Sequence, residues 1–323
     1  MHSGDHEFSY EDASTSGPKK WGSLSADWKS CSAGKSQSPV NINSRKAKDQ
    51  PNDLKMAYKE APATLFNKGH NLVVQWQGDA GGIEVNGSTY KLVQCHWHTP
   101  SEHTIDEKRY DAELHFVHSN DQKQLAVIGV LFEVGETDPF IEKMTESKFK
   151  GLDADGSDLG KVSASSTTSG SKRYFRYGGS LTTPPCSEGV TWTVAAKAKT
   201  ISKDQIKLLQ GAVDHEFHEN ARPVQELNGR TVTQFEDKEG TGGHSGTESS
   251  SMTESKFKGL DADGSDLGKV STTSGSKSCS KCQNNFKGPN QTAARAVDHE
   301  FHENARPVQE LNGRTVTQFE DKE

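Results

Sequence analysis

Between Thr64 and Val134, apolar residues either alternate with polar ones or gather into short unbroken runs, a pattern of strands rather than helices. Leu72-Val73-Val74-Gln75-Trp76 predicts one strand. Ile83-Glu84-Val85, the pair Asn86-Gly87 and then Thr89-Tyr90 predict a hairpin, because Asn-Gly accepts the positive φ angles of a two-residue turn. Two alternating segments follow, Tyr90–His98 and Tyr110–His118. Leu125–Phe132 is a continuous apolar run and predicts a strand buried on both faces. Gly189–Lys197, with Trp192 inside it, predicts a further strand. Ser202, followed three positions later by Gln205, predicts the capped start of a short helix. Residues 1–60 are rich in Gly, Pro, Ser and Lys and read as loops. The expected architecture is mainly β, largely antiparallel, with few helices.

Composition changes this picture at the C-terminal end. Of 323 residues only 30% are hydrophobic, and the mean hydropathy is −0.83. That is lean for a chain packed throughout, so part of the length is expected to lie outside a core. A repeat marks which part. Met144–Ser163 recurs letter for letter as Met252–Ser271, Thr167–Lys172 as Thr272–Lys277, and Ala212–Glu239 as Ala296–Glu323. Gly240–Gly246 has the composition of a flexible linker. Two discontinuous copies do not make a solenoid. The expected division is therefore a domain over 1–239 and, over 240–323, a linker with a poorly packed partial repeat. The duplicated segments also raise the expectation of self-association, one copy replacing the other between chains. Net charge is −7 and no basic stretch is concentrated, which argues against nucleic acid as a partner. No run approaches the roughly 20 apolar residues of a membrane span. The first residues, Met1–Asp5, are polar and do not read as a signal peptide.

Chemistry concentrates in the two alternating segments. Residues two apart in a strand share a face, so His96 and His98 point the same way. His115 can join them from a paired strand. Three imidazoles on rigid strands, with a fourth position left to water, form the catalytic pattern for zinc. Gln94 and Glu113 each stand two residues before a histidine of the set and can orient its ring. Cys95 faces away and reads as a small buried hydrophobe. His118, three residues after His115, also points away and reads as packing rather than a ligand.

Other polar clusters carry weaker signals. Asp214-His215-Glu216-Phe217-His218-Glu219, repeated at Asp298–Glu303, reads as a solvated polar turn or short helix. Asp153–Asp158 has its glycine at position four of a would-be calcium loop and lacks the closing glutamate, so it does not fit an EF-hand. Cys279 and Cys282 form a lone CxxC, which reads as a local disulfide or two free thiols. Two sequons, at Asn86 and Asn290, are compatible with secretion.

The stretches QCHWHTPSEHTIDEKRYDAELHFVH, SLTTPPC, GKSQSPVNI and NARPVQ, in their order and spacing, resemble the α-class carbonic anhydrases, most closely the plant members. The likeness runs from about Phe8 to Glu239. It implies a single domain on a large, mostly antiparallel sheet. It also implies a zinc enzyme that reversibly hydrates CO2 to bicarbonate through zinc-bound hydroxide. By the same likeness His96, His98 and His115 are the ligands. Thr182 accepts from the hydroxide and donates to Glu102, Thr183 lines the substrate side, and His70 is the proton shuttle. Val117, Val127, Leu181 and Trp192 form the apolar wall for CO2. Gln94, Glu113 and the backbone carbonyl of Asn220 orient the ligands, and Tyr10 joins the solvent network. Cys31 and Cys186 match the disulfide of secreted members, which implies a secreted or organellar location. The alternative is a non-enzymatic storage or binding protein on the same fold, since plant tuber storage proteins resemble the family while often lacking ligand histidines.

Overall fold

The computed structural model describes residues 8–144, 152, 156–168 and 173–236. The expectations for the linker, the second copies of the repeat and the CxxC pair fall outside these residues, and so does most of Asp153–Asp158. Among the described residues the strands are, in chain order, β1 Asn41–Ile42, β2 Lys48–Pro51, β3 Lys55–Tyr58, β4 Ala61–Asn67, β5 Leu72–Trp76 and β6 Gly81–Val85. They continue with β7 Ser88–His98, β8 Thr104–Ile105, β9 Lys108–Arg109, β10 Ala112–Ser119 and β11 Leu125–Val134. The last are β12 Ser157–Val162, β13 Arg173–Ser180, β14 Glu188–Ala195, β15 Lys199–Ile201 and β16 Thr233–Glu236.

One large sheet runs in the order β12-β4-β5-β7-β10-β11-β14-β13-β16-β2, with β6 joined to β7, β3 to β6 and β15 to β11. Its pairings are antiparallel except β11 with β14, β11 with β15, and β16 with β2. The expected mainly β, mostly antiparallel architecture is therefore present, with parallel joints that turn the sheet mixed. Local chemistry accounts for several elements. Asn86 and Gly87 take φ values of 50° and 73° and close the β6–β7 hairpin as a two-residue turn. The Lys203–Ala212 helix starts on a reciprocal capping box, Ser202 accepting from the Gln205 backbone and Gln205 accepting from Ser202. At ten residues it is the longest helix described.

The sheet separates two apolar cores. On one side Trp76, Cys95, Trp97, Phe116, Ile128 and Phe140 belong to one cluster. On the other Val127, Phe175, Tyr177, Val190, Trp192 and Val194 belong to a second. β11 contributes to both, which is why its apolar run is unbroken. A third cluster gathers Tyr10, Trp21, Cys31, Cys186 and Phe217, with Phe8 and Trp28 packed against it. It fastens the N-terminal segment to the body through the Cys31–Cys186 disulfide, whose Cα atoms are 5.0 Å apart.

Candidate metal centre

β7 and β10 lie side by side in the middle of the sheet, and their register sets His115 directly opposite His96 and Glu113 opposite His98. The three imidazoles converge. Their ring centroids are 5.1 Å apart for His96 and His98, 5.2 Å for His96 and His115, and 4.6 Å for His98 and His115. One nitrogen from each lies within 4.8 Å of the others. His98 and His115 are buried and His96 is half-buried.

Each nitrogen turned away from the centre faces a polar partner, although that of His115 lacks hydrogen-bond alignment. His96 Nδ1 is 2.9 Å from Gln94 Oε1, and His98 Nδ1 is 2.7 Å from the Asn220 carbonyl. Both of those partners are acceptors, so the two rings carry hydrogen on Nδ1 and present a bare Nε2. His115 is reversed: its Nε2 lies 3.0 Å from Glu113 Oε1, which turns Nδ1 inward. Burial holds all three below the ordinary imidazole range, His98 at about 4, with the charges of His98, His115 and His70 acting further on His96. The rings are therefore neutral near pH 7, the form that binds a metal.

Glu113 is held by more than His115. Its Oε2 accepts from the backbone N–H groups of Glu102 at 2.9 Å and His103 at 2.8 Å, and its Oε1 lies 2.7 Å from His103 Nδ1. Burial on its own raises this carboxyl, but the neighbouring His103 and His115 with their hydrogen bonds bring it well below the usual range. His103 passes the support outward, its Nε2 lying 2.7 Å from the Tyr177 hydroxyl, which is 2.8 Å from Ser38 Oγ. A buried chain thus runs from Ser38 to His115. The GKSQSPVNI stretch carries no local sign of Ser38's place in this chain, and His103 enters it as a partner of Glu113.

Glu102 stands beside the imidazoles, its Oε2 3.6 Å from His98 Nε2. Oε1 accepts from the Arg222 backbone at 2.9 Å, while Oε2 and His98 Nε2 have no hydrogen-bond partner among the described residues. Burial pushes the Glu102 carboxyl up to about 7, against the opposing effects of His115, the Thr182 hydroxyl and Arg222. Thr182 therefore acts on Glu102 without completing an aligned bond to Oε2. Two buried polar atoms left bare and 3.6 Å apart form a cradle that a cation and a polar molecule would satisfy.

The remaining expected residues have the following surroundings. Trp192 donates its indole N–H to the Ser180 carbonyl at 2.9 Å and sets its ring 4.7 Å from that of His115. Val127 pairs across to both Val117 and Trp192, and Leu181 packs on the same cluster. Thr183 is half-buried in the turn that Cys186 N closes on its carbonyl. His70 is half-buried, its ring 5.4 Å from Phe8 and 6.1 Å from Phe217, and its carbonyl accepts from Asn220 Nδ2 at 2.9 Å. Tyr10 is buried, with its hydroxyl free of hydrogen-bond partners among the described residues. Asn220 joins Thr99 N, Trp97 O and His70 O through its side chain as it offers its carbonyl to His98. Arg222, missed from sequence, ties Gln37, Ser38 and Cys31 together with three hydrogen bonds of 2.8 to 2.9 Å.

A central mixed sheet with three inward imidazoles and a supporting carboxylate defines a protein of the tris-histidine metal-site class. The eukaryotic-type carbonic anhydrase model matches residues 16–236, so the chain belongs to that family. Alpha carbonic anhydrase 4 of Arabidopsis thaliana is 43% identical over 229 residues, covering 70% of this chain and 84% of that one. Among solved structures, dioscorin complexed with ascorbate aligns with a TM-score of 0.70 at 36% identity, over 72% of this chain and 100% of its own. The alpha-carbonic anhydrase of Thermovibrio ammonificans aligns with a TM-score of 0.64 at 35% identity, over 71% and 99%.

Proposed function

We propose that the protein catalyses the reversible hydration of CO2 to bicarbonate and a proton, with zinc held by His96, His98 and His115. The observation that carries this reading is the convergence of three neutral imidazoles on bare, buried His98 Nε2 and Glu102 Oε2. The donor set fits zinc, which takes imidazole nitrogens and keeps a further position open in catalytic sites. When bound there, zinc is the Lewis acid that makes water nucleophilic near neutral pH, a chemistry for which carbonic anhydrases are themselves the reference case.

The chain's own residues supply the rest. Gln94, the Asn220 carbonyl and Glu113 fix the tautomers, so each ring offers a lone pair inward. With metal bound, Thr182 would donate to Glu102, leaving its oxygen lone pairs to accept from the nucleophile and aim it. Val117, Val127, Leu181 and Trp192 give CO2 an apolar wall, which suits a substrate without charge, and Thr183 lines the same side. His70, between the interior and solvent, carries the released proton, since an imidazole can both accept and release one. Tyr10 holds water along that route through its free hydroxyl. The Cys31–Cys186 bond and the family likeness favour an oxidising, secreted or organellar compartment.

The likeness to dioscorin favours a second reading, a non-enzymatic storage or binding protein. Zinc content and stopped-flow CO2 hydration separate the two. One zinc per chain that survives dialysis and is lost in His96→Ala is expected, with activity that falls to background in that variant. Hydration that is unchanged in His96→Ala overturns the enzymatic reading, and a protein without zinc or activity supports the storage one.

A further inference from the structure

A second group of imidazoles lies outside this site. His215–Phe217 form a single 3-10 turn after Asp214, and His218 closes it by donating its backbone N–H to the His215 carbonyl at 3.3 Å. Three residues per turn bring side chains i and i+3 over one another, so His215 and His218 are stacked along one edge. Their ring centroids are 4.8 Å apart with planes at 50°. That spacing falls inside the range of 4.6 to 5.2 Å spanned by the three converging rings of the central site. Sequence alone reads this segment as a solvated polar turn or short helix; the paired rings are what the structure adds.

The turn is also held still. Phe217 is buried beneath it, the His218 carbonyl accepts from Thr99 Oγ1 at 2.7 Å and Gln210 Nε2 at 3.3 Å, and Asp214 N donates to the Gly69 carbonyl at 3.2 Å. His215 is exposed and His218 half-buried, so the pair opens to solvent. Asp214, Glu216 and Glu219 flank it, and no Lys or Arg occurs from Gly211 to Ala221.

We propose that His215 and His218 form a second, solvent-facing site for a divalent transition-metal ion. Imidazole nitrogen selects borderline ions such as Ni2+, Cu2+ and Zn2+ over Ca2+ and Mg2+, which take oxygen ligands. Two imidazoles ligate, and water completes the shell. The site is built from none of the central ligands, so it stands whether or not the catalytic reading does.

The test uses the full chain with zinc already loaded. His299→Ala and His302→Ala remove the second copy of the motif. Ni2+ is then titrated by calorimetry, with zinc content followed in parallel. The expected result is a Ni2+ ion whose stoichiometry falls by one per chain in His215→Ala and again in His218→Ala made separately, with zinc retained. Binding weakens on acidification, because imidazoles ligate only when deprotonated. Ni2+ stoichiometry that neither substitution changes overturns the proposal, as does Mg2+ binding with equal affinity at the same residues. Circular dichroism of each variant checks that the fold is kept, and exposed His215 gives the variant least able to disturb it.

Discussion

His115 and His118 stand three residues apart in β10 and face opposite sides of the sheet. His115 meets the ring of Trp192, while His118 is sealed in the other core beside Tyr58. Its Nδ1 lies 3.1 Å from the Ala126 carbonyl, which fixes the hydrogen there, so Nε2 accepts from the Tyr58 hydroxyl at 3.0 Å. Burial pulls the pKa of His118 down to about 4, against about 6.5 for an exposed imidazole. Between those values the unfolded chain binds the proton and the folded chain does not. Stability from this residue is therefore complete above about pH 6.5 and is lost as pH falls toward 4, on the order of 3 kcal/mol in all. Urea unfolding at pH 7 and pH 5 should show a smaller pH difference in His118→Gln than in the parent. An equal difference in both would contradict the assignment. Opposite facing of the two histidines is legible in the sequence from strand parity alone; which side is core and which is site is not, because that depends on strands brought in from elsewhere.

At the scale of elements, Gly129 shows how β11 serves β10. It lies directly across from His115, and a Cβ built on it would stand 2.8 Å from Glu113 Oε1. That oxygen is held by His103 and His115 together, so it has no free direction in which to yield. Gly129→Ala is expected to displace Glu113 and weaken zinc binding by about tenfold or more, as loss of a ligand's supporting partner does. Competition with a chelator measures it, and an affinity within twofold of the parent would show that the glycine is incidental. Nothing in the local sequence marks this position, because the clash arises between strands. The same holds for the parallel β11–β14 joint, which leaves no periodic trace. It holds too for the bulge at which Val117 pairs with Gln94 but His118 pairs with Leu92, leaving Val93 unmatched. That extra residue lets Tyr90 and Leu92 share a core with Cys95 and Trp97 despite the change of parity. Elements whose signal is short-range were legible: the Asn86-Gly87 hairpin, the Ser202 cap and the His96/His98 pair. Ser38, Arg222 and Gly129 were not, since each acts across more than 70 positions of chain or, as Gly129 does, against a side chain of the neighbouring strand.

Across the whole molecule, the Cys31–Cys186 bond closes a loop with a sequence separation of 155. Chain entropy alone puts its contribution at about 5 kcal/mol, an upper figure because unfolded chains retain structure. Reduction should lower the melting temperature by on the order of 10 °C. A thermal melt with and without reductant, with free thiols counted, checks this; an unchanged melt after both sulfurs are freed would place the stability elsewhere. The disulfide, Trp21 and Arg222 bind the N-terminal segment to the turn carrying Thr182, so this fastening belongs to the domain's periphery. The three converging histidines are different in kind. They stand on β7 and β10, strands flanked on both sides by further strands and packed against two cores. A zinc finger needs its ion to fold; here the strands bearing the three histidines are packed against apolar side chains on both faces of the sheet. Metal should therefore behave as a passenger that can be stripped and restored without unfolding its host.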